Sequence, residues 1–296
     1  MGLVYTRNWY VTVRWPGRRG DLRVESNFAD TSCERSALLE IAPETLRIRR
    51  ASWEEYRSQD GRPDPAPHMV EGLSGVEAFF HCGKEIHAAL PDDPGGDVAD
   101  LFKEAVKVVI QAEALFLQER GFAGVEAYAE HLIPKYVYGG CFFGSHSERT
   151  PYIVRDKFAF HHRKDNLFTR YRSLSVYRDE GRYRVIGTIN DSYHEMQIAL
   201  AARAEDFSIT EASAALIRGP ERVCPGATAV FDRLPGLYLT PAGKKDCLRA
   251  TGSGDGCAHL ADLVGEAVRA VHSPWAQGRP GEAWPRRGGR VGQLPF

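Results

Sequence analysis

No run of about eighteen consecutive apolar residues occurs in this sequence, so a membrane-spanning helix has nothing to form from. The amino terminus, MGLVYTRNWYVTVRW, lacks the apolar core of a signal peptide, and Tyr5 and Thr6 do not complete an acylation signal. Charge excess is missing too: 38 Lys and Arg against 39 Asp and Glu leave a formal net charge of -1. That balance removes the electrostatic footprint expected of a nucleic-acid partner. Cysteine is scarce, with six residues (Cys33, Cys82, Cys141, Cys224, Cys247 and Cys257) scattered over 296. Reduced thiols in a cytoplasmic protein are expected rather than a disulfide framework. No nucleophile elbow or nicotinamide-binding fingerprint is present, and the glycine-rich GSGDG at 252–256 lacks the Lys-Ser/Thr of a phosphate loop.

What the chain does contain is a repeat. DLRVESNFADTSCERSALLEIAPETLRIRRASWEEYR (21–57) aligns without a gap to RYRVIGTINDSYHEMQIALAARAEDFSITEASAALIR (182–218), an offset of 161. Arg23 meets Arg184, Asp30 meets Asp191, Glu34 meets Glu195, Ile48 meets Ile209 and Arg57 meets Arg218. Upstream, YTRNWYVTV matches FTRYRSLSV with the offset two larger. Downstream, VADLFKEAVKVV (98–109) matches LADLVGEAVRAV (260–271), with Asp100 on Asp262 and Glu104 on Glu266.

Each copy opens with four segments of alternating apolar and polar residues, then an irregular Pro- and Gly-rich stretch, then helical periodicity. Leu260, Leu263, Val264, Ala267, Val268 and Val271 give the last helix one broad apolar face. Strands followed by helices predict an α+β fold of two tandem repeats, each a mainly antiparallel sheet followed by helices. The expected organisation is repeat 1 over 1–118, an aromatic-rich connection over 119–162, repeat 2 over 163–272, and a Pro/Gly/Arg-rich tail over 273–296. That tail reads as a mobile arm or one laid over a partner, which leaves a homo-oligomer open.

Repeat 2 gathers the residue types of a metal centre. Asp191, His194 and Glu195 fall in one stretch, Cys224 follows the fourth strand, and Cys257 and His259 open the last helix. Thiols, imidazoles and a carboxylate are the ligand types of zinc or non-haem iron. A helix amino terminus favours a thiolate, and the glycine-rich turn frees the backbone to present Cys257. Spacing alone is better explained by buried structural thiols. Comparison of the copies weighs the other way: Cys33 stands where His194 is, and Gly95 and Asp97 stand where Cys257 and His259 are. Residues needed for a common core should occur twice, so the thiol–imidazole pair reads as chemistry. His162 and Arg170, beside the first strand of repeat 2, are candidate substrate contacts.

The stretch FTRYRSLSVYRDEGRYRVIGTINDSYHEMQIAL, with VCPGATAVFDRLPGL and GCAHLADLVGEAV, resembles the bacterial domain-of-unknown-function family 2889. The matching positions are Asp191, His194 with Met196, Cys224 with Pro225, and Gly256, Cys257, His259 and Leu260; Ala258 replaces the usual threonine. The resemblance covers about 163–272, with 4–110 as a diverged copy, and implies domain limits rather than an activity. A looser similarity is to the iron–sulfur scaffold fold of the NifU and IscU type.

The resulting expectation is a metal-dependent enzyme of hydrolase or lyase type, with one zinc or iron ion and a small organic substrate held between the repeats. Cys224, Cys257 and His259 would be ligands, His194 or Asp191 the fourth, and the one left over the general acid or base, with Glu195 in reserve. The alternative is a non-catalytic metal or iron–sulfur carrier.

Overall fold

Alternation in sequence becomes alternation in burial. Along β1 (Gly2–Arg14), Tyr5, Arg7, Trp9, Val11 and Val13 turn to a buried face, while Thr6, Asn8 and Tyr10 turn away from it. The computed structural model describes residues 1–58, 63–91, 96–132, 135, 139–146, 163–252 and 254–279. His161, His162, Gly95 and residues 280–296 of the tail lie outside them.

After β1 come β2 (Leu22–Asp30), β3 (Glu34–Ile41), β4 (Ile48–Arg57) and the two-residue β5 (His68–Met69). The second half supplies β6 (Asn166–Arg178), β7 (Arg182–Asp191), β8 (Glu195–Arg203) and β9 (Ile209–Arg218). All nine form one antiparallel sheet in the order β5-β4-β3-β2-β1-β6-β7-β8-β9. The fold is therefore α+β, but the two sheets expected of two copies are one. Strand β1 pairs with β6 through Trp9↔Arg172 and Tyr10↔Tyr171, so each half covers what would be an open edge of the other.

The helices are α1 (Gly83–Ala88), α2 (Asp97–Ala112), α3 (Val125–Leu132), α4 (Phe142–Ser145), α5 (Lys244–Thr251) and α6 (Ala258–Val271). The apolar stripe of α2 packs with Trp9, Phe28, Leu39 and Ile48. That of α6 packs with Val176, Val185, Ile198 and Leu200. These helices lie side by side on one face of the sheet, joined by the ion pairs Lys107–Asp262 and Arg269–Asp100.

Charge also ties each helix to the other half's first strand. Arg7 Nη1 of β1 is 3.1 Å from Glu266 of α6, and Arg172 Nη1 of β6 is 3.2 Å from Glu104 of α2. Burial alone would push the Glu104 carboxyl up, but Arg172, Lys107 and Arg170 outweigh it and bring the group down to about 2. Removing one member of a buried pair leaves an uncompensated charge. Glu104→Gln is therefore expected to cost about 3–5 kcal/mol in urea unfolding. Arg182→Ala, which breaks the exposed pair with Glu211, is expected to cost no more than about 1 kcal/mol. Equal losses would show that the buried charges do not hold the halves together.

Candidate functional site

The turn from β7 to β8 is organised by one carboxylate. Asp191 Oδ1 accepts from the backbone N–H groups of Tyr193 and His194, both at 2.8 Å, and from His194 Nδ1 at 3.0 Å. Its Oδ2 accepts from Arg170 Nε at 2.9 Å and Nη2 at 2.7 Å. A short acidic side chain that satisfies the next two or three N–H groups is what closes such a turn. Burial pushes the Asp191 carboxyl up, but the His194 hydrogen bond and the Arg170 charge hold it well below the usual carboxylate range. A carboxylate so saturated stays ionised, so it acts as an acceptor and a brace rather than as a proton donor.

From Arg170 the network runs to α2 and α6. Arg170 Nη2 donates to Gln111 Oε1, and Gln111 Nε2 reaches His259 Nε2. A guanidinium can only donate, so it fixes which end of the Gln111 amide faces it. The amide nitrogen then faces His259, whose Nε2 must accept. The His259 proton therefore sits on Nδ1, 3.9 Å from Cys257 Sγ. Burial, helped by His194 and the Arg170 charge, pushes the His259 imidazole well below its ordinary value. The His194 and His259 rings lie 4.2 Å apart, centroid to centroid.

The predicted residues are thus brought together in part. Asp191, His194, His259 and Cys257 are neighbours. Glu195 faces away, half-exposed and 3.9 Å from Arg218. Cys224 opens a 3₁₀ segment in the same apolar cluster as Cys257, where burial, helped by the nearby Cys141 and Cys257 thiols, pushes its own thiol up to about 12. Cys257 stands at the N-cap of α6, where the Leu260 and His259 backbone N–H groups favour its thiolate, but burial outweighs them and raises the thiol. Gly256 is required before it, because a Cβ there would lie 2.1 Å from the Thr251 carbonyl oxygen that receives the Cys257 N–H. Among the described residues no three His, Cys, Asp or Glu side chains gather so as to hold a metal ion.

The same turn occurs in the first half, and there it borders open space. Asp30 Oδ1 accepts from Ser32 N and Oγ, both at 2.7 Å, and from Cys33 N at 2.8 Å. Its Oδ2 accepts from the Tyr5 hydroxyl and from Arg7 Nη2 at 3.3 Å. Beside it lies a cavity of about 480 Å³ lined by Tyr5, Arg7, Asp30, Ser32 and Asp97 from one half. The other half contributes Pro241, Lys244, Val268, Arg269, His272 and Ser273–Trp275.

The helix alignment, at an offset of 162, puts Ser273 where Gln111 stands and Asp97 where His259 stands. Gln111 fills the space beside Arg170, whereas the short Ser273 lines the space beside Arg7. Burial raises the Asp97 carboxyl, and the charges of Arg7, Arg269 and Arg35 only partly offset it. Arg269 and Arg35 stand 3.7 and 3.8 Å from Asp97. Sequence reading passed over this site although its signals were present: a Thr-Arg shared by YTR and FTR, and Asp30 retained beside Asp191.

Residues 168–272 match the model of a family described as a protein of unknown function, DUF2889. No curated protein matches the chain.

A histidine held neutral in the fold makes stability depend on pH. The unfolded chain takes up a proton at His259 below the ordinary value of 6.5 and the folded chain does not, so stability falls as pH falls. Between pH 6.5 and 5 the loss should approach 1.4 kcal/mol per pH unit, roughly one proton's worth. His259→Gln should flatten that limb in urea titrations. An unchanged slope would mean that His259 is protonated in the folded protein.

Proposed function

We propose that this chain is an enzyme that holds a small organic molecule in the cavity between its halves and works on it by acid–base chemistry. The carrying observation is the cavity itself, which takes its lining from both halves and is bordered by one carboxyl raised by burial, Asp97. A concave site with a few convergent polar groups and a perturbed titratable residue is the arrangement expected of an active site. In this account Asp97 is the general acid or base. Arg7, already held by Asp30 and Glu266, shapes the floor. Asp30, saturated like Asp191, braces the turn. Reaction types that need only proton transfer, such as lyase or hydrolase steps, suit this set.

Descent of the chain from a tandem duplication is part of the same proposal, because it accounts for one open site beside one filled site. Its support is repeated backbone detail. Arg7 lies opposite Asp30 in β1/β2 as Arg170 lies opposite Asp191 in β6/β7. Leu46 and Phe207, 161 apart, both take left-handed φ values, 55° and 60°. Ala78 N donates to the Leu46 carbonyl as Leu239 N donates to that of Phe207, and Ile48 N to Val76 as Ile209 N to Leu237.

The cavity assignment is tested by thermal melts against a panel of small organic compounds. Ligands that raise the melting temperature of the native protein should lose their effect in Ser273→Gln, which restores the filling residue of the other half. Gln111→Ser should leave their effect intact. For a substrate found this way, Asp97→Asn should retain binding and lower turnover by about 10²–10⁴-fold. Shifts that persist in Ser273→Gln would move the site elsewhere.

A further inference from the structure

We infer that the molecule held in this cavity is an organic carboxylate with an apolar body, anchored by Lys244; this rests on the cavity assignment above. Three cations (Arg7, Lys244, Arg269) and two carboxylates (Asp30, Asp97) line the space. Most of that charge is already spent. Arg7 gives Nε to the Tyr5 hydroxyl at 3.0 Å, Nη1 to Glu266 at 3.1 Å and Nη2 to Asp30 at 3.3 Å. Arg269 is held by Asp100, with Asp97 at 3.7 Å. Asp30 accepts five hydrogen bonds.

Lys244 differs. Among the described residues its ammonium has no ion-pair or hydrogen-bond partner, although its neighbours on α5, Asp246 and Arg249, pair with each other. It is half-buried and lines both this cavity and the adjoining charged cleft over the α2–α6 seam, where Asp262 and Glu266 also stand. Gly265 of α6 makes room for its stem, because a Cβ there would stand 3.5 Å from Lys244 Cε. An ammonium held in place and left unpartnered sets the sign of the ligand. Val268, Pro241, Pro274 and the Trp275 ring give that ligand an apolar wall. An anion with an apolar body satisfies both, whereas a cation would meet the unpaired Lys244 ammonium. Asp97 would then face whatever carbon the anchored carboxylate presents.

Three probes of equal length separate charge from shape: hexanoate, 1-hexanol and hexylamine, titrated into the full chain by ligand-observed NMR. Hexanoate should bind, 1-hexanol at least about tenfold more weakly, and hexylamine weakest, since a hydrogen bond to a charged group contributes about 1.5–3 kcal/mol. Lys244→Met should weaken hexanoate about tenfold or more and leave 1-hexanol unchanged, with the thermal melt of the variant serving as the check on its fold. Lys244→Arg should restore part of the loss. If 1-hexanol or hexylamine binds as well as hexanoate and Ser273→Gln abolishes that binding, the cavity stands and the carboxylate assignment falls. If no probe binds, or binding survives Ser273→Gln, both fall.

Discussion

A buried arginine under each central strand is the constraint on which the arrangement of this chain depends. Arg7 and Arg170 each lock an aspartate that closes a turn in their own half, and each reaches across to a glutamate on the helix of the other half. Taking these charges out of water is costly, and their mutual pairing offsets that cost only in one geometry. The crossed pairs Arg7–Glu266 and Arg170–Glu104 therefore fix how the two helices sit over the shared sheet. Apolar packing of α2 and α6 supplies most of the cohesion, but it would tolerate sliding. The ion pairs do not.

Because both halves are built on that clamp, their differences lie in what fills the space next to it. In the second half Gln111, His259 and His194 close over Arg170, and the polar atoms satisfy one another. In the first, Tyr5, Ser32 and Asp97 border a void that Ser273 does not fill. Serine stands against glutamine at that place, as Asp97 stands against His259 and Cys33 against His194. A network that is fully satisfied contributes rigidity.

The strands, the broad apolar face of Leu260–Val271 and the matching places of Asp30 and Asp191 were legible in the sequence, because period-two and helical patterns record burial directly. So was the proximity of Cys257 and His259, which Gly256 and the start of α6 bring together, whereas the contact of the imidazole with Gln111, 148 residues away, was not. Gln111 carries no signal of its own, since an amide on a helix face matches no motif. The joining of the halves into one sheet was likewise invisible, because β1 and β6 look like any half-buried strands and nothing local says that they pair. Lys244 carries no signal in the sequence, because its surroundings depend on Gly265 and on a seam between helices, both long-range facts.

The joining of β1 to β6 has a consequence for how the chain comes into being. Tyr10 and Tyr171, which face each other across that ladder, are 161 residues apart (171 − 10). The hairpins β1–β4 and β6–β9 close over short loops, so each can form early, while the central ladder closes a loop of more than half the chain. During synthesis from the amino terminus, the first meander waits with the thirteen-residue edge of β1 unpaired until β6 emerges. Pairing with a neighbouring copy through that edge is the competing event, so the interval before the second half appears is when this protein is most exposed to misassembly.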